Sequence, residues 1–188
     1  MKVRDSGMPD EELWSSFFSP AETLSALGLT RGTGDVVEFG CGYGTFTIAA
    51  AHVAFSRVYA LDIDPDMIAA TDAKVRGLPN VTPVLRDFVV EGTGLDDQSV
   101  DYAMLFNILH GEQPLTLLRE AWRVLKPSGL LGVMHWNFDP TTPRGPGMDI
   151  RPQPEQCRDW AIAAGFRLRE TGIISLPPYH YGMVLERR

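Results

Sequence analysis

The sequence contains few cysteines, and their positions exclude two kinds of chemistry. Only Cys41 and Cys157 occur among 188 residues, so neither a disulfide framework nor a CxxC metal or redox motif is available. We expect two free thiols in a reducing compartment, with a single disulfide between them as the less favoured alternative. No His/Cys cluster has zinc spacing, and we predict no metal site.

Basic residues and long apolar runs are also scarce. The chain has 17 Lys and Arg against 24 Asp and Glu, a net charge of -7 at pH 7. This balance provides no basic footprint for DNA or RNA, so no nucleic-acid partner is expected. No run has the length of a membrane span or the form of a signal peptide. The sequence therefore predicts a cytoplasmic protein that does not contact a membrane.

Short apolar runs alternate with helix-like stretches along most of the chain, which is typical of a parallel sheet covered by helices on both faces. The last two strands have no helix between them, so they should form an antiparallel hairpin at one edge. We predict one α/β domain over 1–188: an N-terminal helical segment (1–30), a ligand-binding core (35–135), and a substrate-side loop, helix and hairpin (136–188). Strands are expected at 35–39, 57–63, 81–86, 100–109, 130–136, 166–174 and 179–187, and helices at 45–54, 65–76, 114–125 and 155–165.

The junction between the first strand and the first helix carries three alternating glycines, Gly40, Gly42 and Gly44, in "VVEFGCGYGTF". Glycine permits tight turns and a close approach of ligand to backbone. Asp62 ends the second strand, where a carboxylate can accept hydrogen bonds from both hydroxyls of a ribose. Together they predict a nucleotide-like ligand; a turn that only shapes the chain is the alternative.

The loop departs from two common nucleotide-binding motifs, and these departures narrow the identity of the ligand. Counting from Gly40, the sixth position of a dinucleotide fingerprint is Thr45 rather than glycine or alanine. No Gly-Lys-Ser/Thr follows, which excludes a P-loop. Glu38 also places an acidic group beside the loop, unsuited to a phosphate. A cationic adenosyl ligand fits better than NAD, although a nicotinamide-dependent oxidoreductase stays open as an alternative.

Several motifs in order resemble the class I S-adenosylmethionine-dependent methyltransferases, in particular the small-molecule "type 11" branch. "VVEFGCGYG" resembles the first motif of this family, "YALDIDPDMI" the second and "LRDF" the third. "SVDYAMLFNILHGEQP" resembles the fourth, and "LREAWRVLKPSGLLGV" the helix, turn and strand that follow. The resemblance implies a Rossmann-like seven-stranded sheet, S-adenosyl-L-methionine as cofactor and S-adenosyl-L-homocysteine as product.

The resemblance also implies a set of cofactor contacts. The glycines would pass the methionine part, Glu38 would order the loop or contact the amino group, and Asp62 would bind the ribose. Ile63, Asp87 and Phe88 would contact the adenine, and Asn107 would line the methyl-donor end. Cys41, inside the loop, is expected to pack rather than react. The cofactor-binding residues implied are Glu38, Gly40, Cys41, Gly42, Gly44, Asp62, Ile63, Asp87, Phe88 and Asn107.

Methyl transfer from a sulfonium needs alignment, exclusion of water and sometimes a general base. His110 follows the fourth strand and His135 ends the fifth, both at the ligand edge of the sheet. Histidine titrates near neutral pH, so these two are the candidate bases. The alternative for each is a hydrogen-bonded rim histidine. His52 is expected at the surface, and His180 in the packed terminal hairpin.

The Pro-rich loop after the fifth strand is the candidate acceptor site. Trp136, Arg144, Met148 and Arg151 are its candidate contacts, with the arginines suited to a carboxylate or phosphate. The alternative is a connecting loop whose arginines pair with nearby acids. We expect a small-molecule acceptor, because no large cap domain is visible, and a monomer or homodimer. A protein that binds S-adenosylmethionine without catalysis is a further alternative.

Overall fold

A computed structural model describes residues 8–188 of the chain. The predicted segment 1–30 therefore begins outside the described residues. The helices are α1 (Glu11–Ser15), α2 (Pro20–Ala26), α3 (Thr45–Ala51), α4 (Pro65–Val75), α5 (Pro114–Val124) and α6 (Pro154–Ala163). The strands are β1 (Val36–Phe39), β2 (Val58–Asp62), β3 (Val81–Leu85), β4 (Val100–Phe106), β5 (Leu125–Trp136), β6 (Phe166–Leu176) and β7 (His180–Arg187).

The seven strands form one sheet in the order β3-β2-β1-β4-β5-β7-β6. Strands β1 to β5 pair in parallel, whereas β7 is antiparallel to both of its neighbours. The predicted fold class is confirmed. The strand order reverses between β1 and β4, so the carboxyl ends of these two strands open a crevice of the kind where ligands bind in such sheets.

The two faces of the sheet carry separate apolar cores. Val37 and Phe39 of β1 point to the side covered by α5 and α6, and Val36 points to the side covered by α2 and α3. Successive side chains of a strand alternate between faces, so a parallel strand that is buried on both faces is mostly apolar. This explains why β1 and β4 are apolar except for Glu38 and Asp101, and it confirms helices on both faces.

The start of the fifth strand differs from the prediction. The fifth strand begins at Leu125, five residues earlier than expected, because Leu125 is already extended (φ -68°, ψ 139°) and pairs with Val100 of β4. The terminal hairpin forms at one edge of the sheet, as predicted, with β7 paired to β5 and β6 as the outermost strand. Leu24 and Leu27 from the N-terminal helical segment are buried in the core. Over residues 8–188, no helix is both long and apolar enough to span a membrane.

Candidate active site

The glycine loop makes a sharp return directly after β1. Gly40, Gly42 and Gly44 all have positive φ, +76°, +54° and +77°, a region that L side chains rarely occupy. The backbone amides of Gly40 and Cys41 donate to the Leu61 carbonyl at 2.8 and 2.9 Å, which ties the loop to β2. The alternation of glycine is thus explained by backbone conformation at each of the three positions.

Asp62, at the end of β2, fixes the loop from the other side. Its Oδ2 accepts from the Gly42 amide at 2.8 Å and its Oδ1 from the Asp64 amide at 3.0 Å. The side chain is buried, and burial raises the pKa of this carboxyl despite the hydrogen bonds from Asp64 and Gly42 that lower it. The carboxylate is therefore oriented before any ligand arrives.

Gly44 has a different role from the other two glycines. It does not line the cavity described below; a Cβ there would lie 3.0 Å from Thr71 Oγ1 on α4. Thr71 is fully buried and donates to the Gly42 carbonyl at 2.8 Å. Gly44 thus allows the start of α3 to approach α4, instead of facing a ligand as the sequence had suggested.

Glu38 is buried at the base of the loop and is not the source of negative charge that the sequence suggested. Burial raises the pKa of its carboxyl to about 8, and Asp62 raises it further, while a hydrogen bond from the Thr47 hydroxyl opposes the shift. At neutral pH most of these carboxyls are protonated. Glu38 can then donate as well as accept a hydrogen bond.

A cavity of about 420 Å³ opens at the carboxyl ends of β1, β2 and β4. Gly44, His135 and Arg151, although predicted for the site, do not line it. The predicted residues that do line it are Glu38, Gly40, Cys41, Gly42, Asp62, Ile63, Asp87, Phe88, Asn107, His110, Trp136 and Arg144.

Asp87 and Phe88 lie together on one side of this cavity. The Asp87 carboxylate accepts from the amides of Val89 and Val90 at 3.2 and 3.1 Å, which closes the turn after β3. The Phe88 ring packs edge-to-face on Phe39, with ring centroids 5.5 Å apart. Both side chains are thereby held in place by the protein itself.

Asn107 is the polar residue of the cavity with an unmet hydrogen-bonding need. It has a positive φ of 58°, and its backbone amide donates to the Met134 carbonyl at 2.8 Å. Its side-chain Nδ2 and Oδ1 are both buried and have no hydrogen-bond partner. Leaving a buried polar group unpaired costs roughly 1–3 kcal/mol. A donor and an acceptor are thus available to a polar ligand group.

The two candidate histidines form a pair that reaches from the cavity into the core. His110 lines the cavity, and its Nδ1 lies 3.2 Å from Nε2 of His135, which is completely buried beneath it. Burial lowers the pKa of both rings, with His110 and His180 lowering that of His135 further. Both imidazoles are therefore neutral at pH 7, and only His110 can meet a ligand in the cavity.

Arg151 organises the loop after β5 instead of contacting the cavity. Its guanidinium donates to four carbonyls of residues 137–146 at 2.8–3.4 Å and to the Thr142 hydroxyl at 2.6 Å. The five N–H groups of arginine suit such a network. The loop held in this way contributes Arg144, Gly145 and Pro146 to the cavity lining. Met148 is likewise outside the lining.

The decisive comparison is with known families. The pattern of the methyltransferase domain family matches residues 37–133, just over half of the chain. The chain belongs to this methyltransferase family. The match covers the glycine loop, Asp62, Asp87, Asn107 and His110. It confirms the resemblance found in the sequence and disfavours the oxidoreductase alternative.

Individual relatives agree with the family. The chain is 30% identical to a demethylmenaquinone methyltransferase of Protochlamydia amoebophila over 65% of this chain and 49% of that protein. It is 28% identical to a ribosomal protein L11 methyltransferase of Anoxybacillus flavithermus, over 79% and 43% of the two. The chain spans about half the length of the curated relatives it matches.

A solved structure shares the fold over almost the whole chain. A SAM-dependent methyltransferase from Aquifex aeolicus superposes with a TM-score of 0.81, covering 95% of this chain and 94% of its own at 23% identity. A likeness at this identity supports the seven-stranded architecture described above.

Several residues of the methyltransferase cavity were missed from the sequence. Met8, Pro9 and Trp14 close it from the N-terminal side, and the Tyr43 hydroxyl donates to the Pro9 carbonyl at 2.9 Å. Phe46 and Phe106 form an aromatic wall, with ring centroids 4.9 Å apart. No spacing rule relates the N-terminal segment to the glycine loop.

The cysteines are both buried free thiols, as predicted. Cys41 lines the cavity, yet burial and the nearby Glu38 and Asp62 raise the pKa of its thiol far above neutrality. Burial raises the pKa of Cys157 to about 12. A thiol that stays protonated is a poor nucleophile, so neither is arranged for covalent chemistry.

Proposed function

We propose that the chain binds S-adenosylmethionine in the cavity and catalyses transfer of its methyl group to a small-molecule acceptor. The observation that carries the proposal is the convergence of the Asp62 carboxylate, the glycine loop and the unpaired Asn107 amide on one cavity within the family-matched region. A sulfonium supplies an already activated methyl group, so the protein needs to bind, align and exclude water.

The residues fit an adenosyl cofactor in a specific way. The Asp62 carboxylate would accept from the ribose hydroxyls, and Ile63, Asp87 and Phe88 would surround the adenine. Gly40 and Gly42, which lack side chains, would let the amino-acid part pass. Glu38, protonated at neutral pH, would order the loop through Thr47 rather than act as a counter-charge to the sulfonium.

The acceptor would lie on the opposite side of the cavity, near Asn107, His110, Trp136 and Arg144. A small acceptor is supported by the size of the cavity, about 420 Å³, whose lining includes residues 8–9, Trp14 and residues 144–146. The relatives include one named for a quinone substrate and one named for a ribosomal protein. A macromolecular acceptor is thus the competing outcome of an acceptor screen.

Calorimetric titration with S-adenosylmethionine, S-adenosylhomocysteine and NAD in parallel tests the cofactor. Micromolar binding of both adenosyl ligands without NAD is the expected result. Binding of NAD alone, or of none of the three, would contradict the proposal. Production of S-adenosylhomocysteine with an acceptor panel then separates an enzyme from a protein that only binds the cofactor.

A further inference from the structure

Five aromatic residues form a continuous cluster at the cavity. The rings of Phe46 and Phe106 pack edge to face with centroids 4.9 Å apart, and both residues line the cavity. Phe18 packs on Phe46, with centroids 5.2 Å apart, and also on two tryptophans of the lining. Its centroid lies 4.7 Å from that of Trp14 and 6.4 Å from that of Trp136. These five residues are the aromatic cluster, and all except Phe18 line the cavity.

The aromatic cluster is separate from the residues proposed to surround the adenine. Phe88 belongs to the apolar core on the side of the sheet covered by α5 and α6. Phe46 and Phe106 belong to the core on the side covered by α2 and α3, and Phe18, which joins them to the tryptophans, packs against that second core. The adenine and the aromatic cluster would therefore occupy different faces of the sheet edge, and the cluster is left for the acceptor.

Packing holds these rings in position without a ligand. Phe46, Phe106 and Trp136 are only 4%, 6% and 2% exposed, so their neighbours leave them little freedom to reorient. A Cβ on Gly145 would lie 3.0 Å from Trp136 Cγ, so the loop after β5 lies directly against this ring. A preformed aromatic surface favours a planar aromatic ligand, because edge-to-face and offset-stacked ring pairs contribute beyond the apolar area that they bury. A saturated ring of the same size gains only the burial.

Asn107 adds a polar contact next to the aromatic cluster. It directly follows Phe106 at the end of β4 and lines the cavity, and its side-chain Nδ2 and Oδ1 have no hydrogen-bond partner. The carboxamide can donate through Nδ2 and accept through Oδ1. A hydroxyl group can also donate and accept, so an aromatic ring that carries one would match both the rings and this side chain.

We infer that the methyl acceptor is a small molecule with a planar aromatic ring and a polar substituent, and that the aromatic cluster holds the ring while Asn107 holds the substituent. The inference rests on the proposed function and makes these residues determinants of specificity. Aromatic rings also bind ammonium cations through their faces. Here Arg144 lines the cavity and precedes Gly145, which lies against Trp136, so a cationic acceptor would meet a like charge.

Calorimetry on the full chain saturated with S-adenosylhomocysteine tests the preference for an aromatic ring. The probes are two pairs of alcohols, each with one carbon skeleton: phenol with cyclohexanol, and 2-naphthol with decahydro-2-naphthol. The aromatic member of at least one pair should bind about 2- to 10-fold more tightly, the range that one aromatic ring pair provides. No such preference in either pair, or tighter binding of tetramethylammonium, would overturn the inference. Failure of S-adenosylhomocysteine itself to bind would instead refute the proposed function.

Substitutions separate the effect of the rings from that of apolar area. Trp14→Leu, at a half-buried residue of the short helix α1, removes a ring but stays apolar, and should bring the two members of each pair closer to equal affinity. Trp14→Phe should keep the preference, as should the control Phe55→Leu, at an exposed residue outside the lining. Phe106→Leu repeats the test within the sheet, with thermal unfolding and S-adenosylhomocysteine affinity as checks of folding. An unchanged preference in both leucine variants would overturn the inference.

Asn107→Gly tests the polar contact, because glycine readily adopts the φ of 58° found at this position. In the protein saturated with S-adenosylhomocysteine, the variant should bind 2-naphthol about 2- to 10-fold more weakly, the range for one hydrogen bond between neutral groups. Its affinity for naphthalene, which has no polar group, should be unchanged. Equal changes for the two probes would refute the contact with Asn107. A loss of S-adenosylhomocysteine affinity with 2-naphthol binding unchanged would also refute it, because it would assign Asn107 to the cofactor.

Discussion

Asp62→Asn is the substitution that most directly tests the proposed cofactor site. The Asp62 carboxylate accepts hydrogen bonds from the Gly42 and Asp64 amides at 2.8 and 3.0 Å. In the proposed complex it would also accept hydrogen bonds from the ribose hydroxyls. Asparagine preserves the shape but presents an NH₂ group where Oδ1 or Oδ2 now accepts. One backbone amide or one ribose hydroxyl then faces a donor instead of an acceptor.

The expected loss follows from the kind of hydrogen bond removed. Bonds to a charged group contribute roughly 1.5–3 kcal/mol each. Affinity for S-adenosylmethionine should therefore fall about 10- to 100-fold, since each 1.4 kcal/mol corresponds to a factor of ten. S-Adenosylhomocysteine should lose affinity by the same factor, because the ribose is common to both ligands.

Calorimetry on wild type, Asp62→Asn and Asp64→Asn gives the comparison. Asp64 caps α4 by accepting from the Asp66 amide at 2.9 Å, and asparagine caps a helix about as well, so Asp64→Asn should leave both stability and affinity nearly unchanged. Unchanged affinity in Asp62→Asn would refute the site assignment. A loss confined to S-adenosylmethionine would also refute the reasoning, because the ribose contact does not distinguish the sulfonium from the thioether.

Three further predictions concern the frame of the site. Gly44→Ala should destabilise the fold by roughly 1–3 kcal/mol in thermal unfolding, because the φ of Gly44 is +77° and a Cβ there would lie 3.0 Å from Thr71 Oγ1. Gly77→Ala is the control and should not destabilise the fold, because there is open space around Gly77. Glu38→Gln should flatten the dependence of the free energy of unfolding on pH. A carboxyl whose pKa is raised from 4.5 to about 8 stabilises the fold below pH 4.5 and loses that contribution as the pH rises to 8. The stability of the wild type should therefore fall across this window, whereas that of the variant should not. The measurement is the free energy of unfolding of both proteins as a function of pH. Parallel curves for wild type and Glu38→Gln would contradict a buried neutral Glu38. Arg151→Lys should increase amide hydrogen exchange in residues 137–147 and leave cofactor affinity unchanged, because lysine has three N–H donors for a network that uses five. Arg169→Lys, at an exposed residue, is the control. Equal exchange in both variants would show that the guanidinium of Arg151 does not hold the loop.

The sequence allowed the architecture to be predicted because the relevant signals are local. The β-branched start of β1, the Asp64-Pro65 start of α4 and the glycine that follows β1 specify elements through neighbouring residues alone. The error at the start of β5 has the same origin. Lys126-Pro127-Ser128-Gly129 reads as a turn, and only pairing of Leu125 with Val100, 25 residues away in sequence, makes it part of a strand.

The candidate site was predictable as an edge of the sheet but not as a set of contacts. Parallel strands bring Gly40, Asp62 and Asn107 together by topology, so their position after a strand was sufficient. The sequence predicts His135 and Arg151 at the same edge of the sheet. In the structure the His135 ring turns inward beneath His110, and the Arg151 side chain turns back to its own loop. Which way a side chain points from a strand end depends on packing partners that local sequence does not specify.

Three buried polar residues affect the cavity through the groups that they contact. Glu38, His135 and Arg151 are polar residues in the interior, and each has a partner whose own position matters to the cavity: the start of α3, His110 and the loop at 144–146, respectively. Burial keeps Glu38 and His135 neutral at pH 7, so they can hold their partners without adding charge near a sulfonium. Arg151 keeps its charge but surrounds it with carbonyls. Such neutral or screened groups would hold the frame of the proposed site without placing a further negative charge beside the sulfonium, where it would stabilise the cofactor before transfer and thereby raise the barrier.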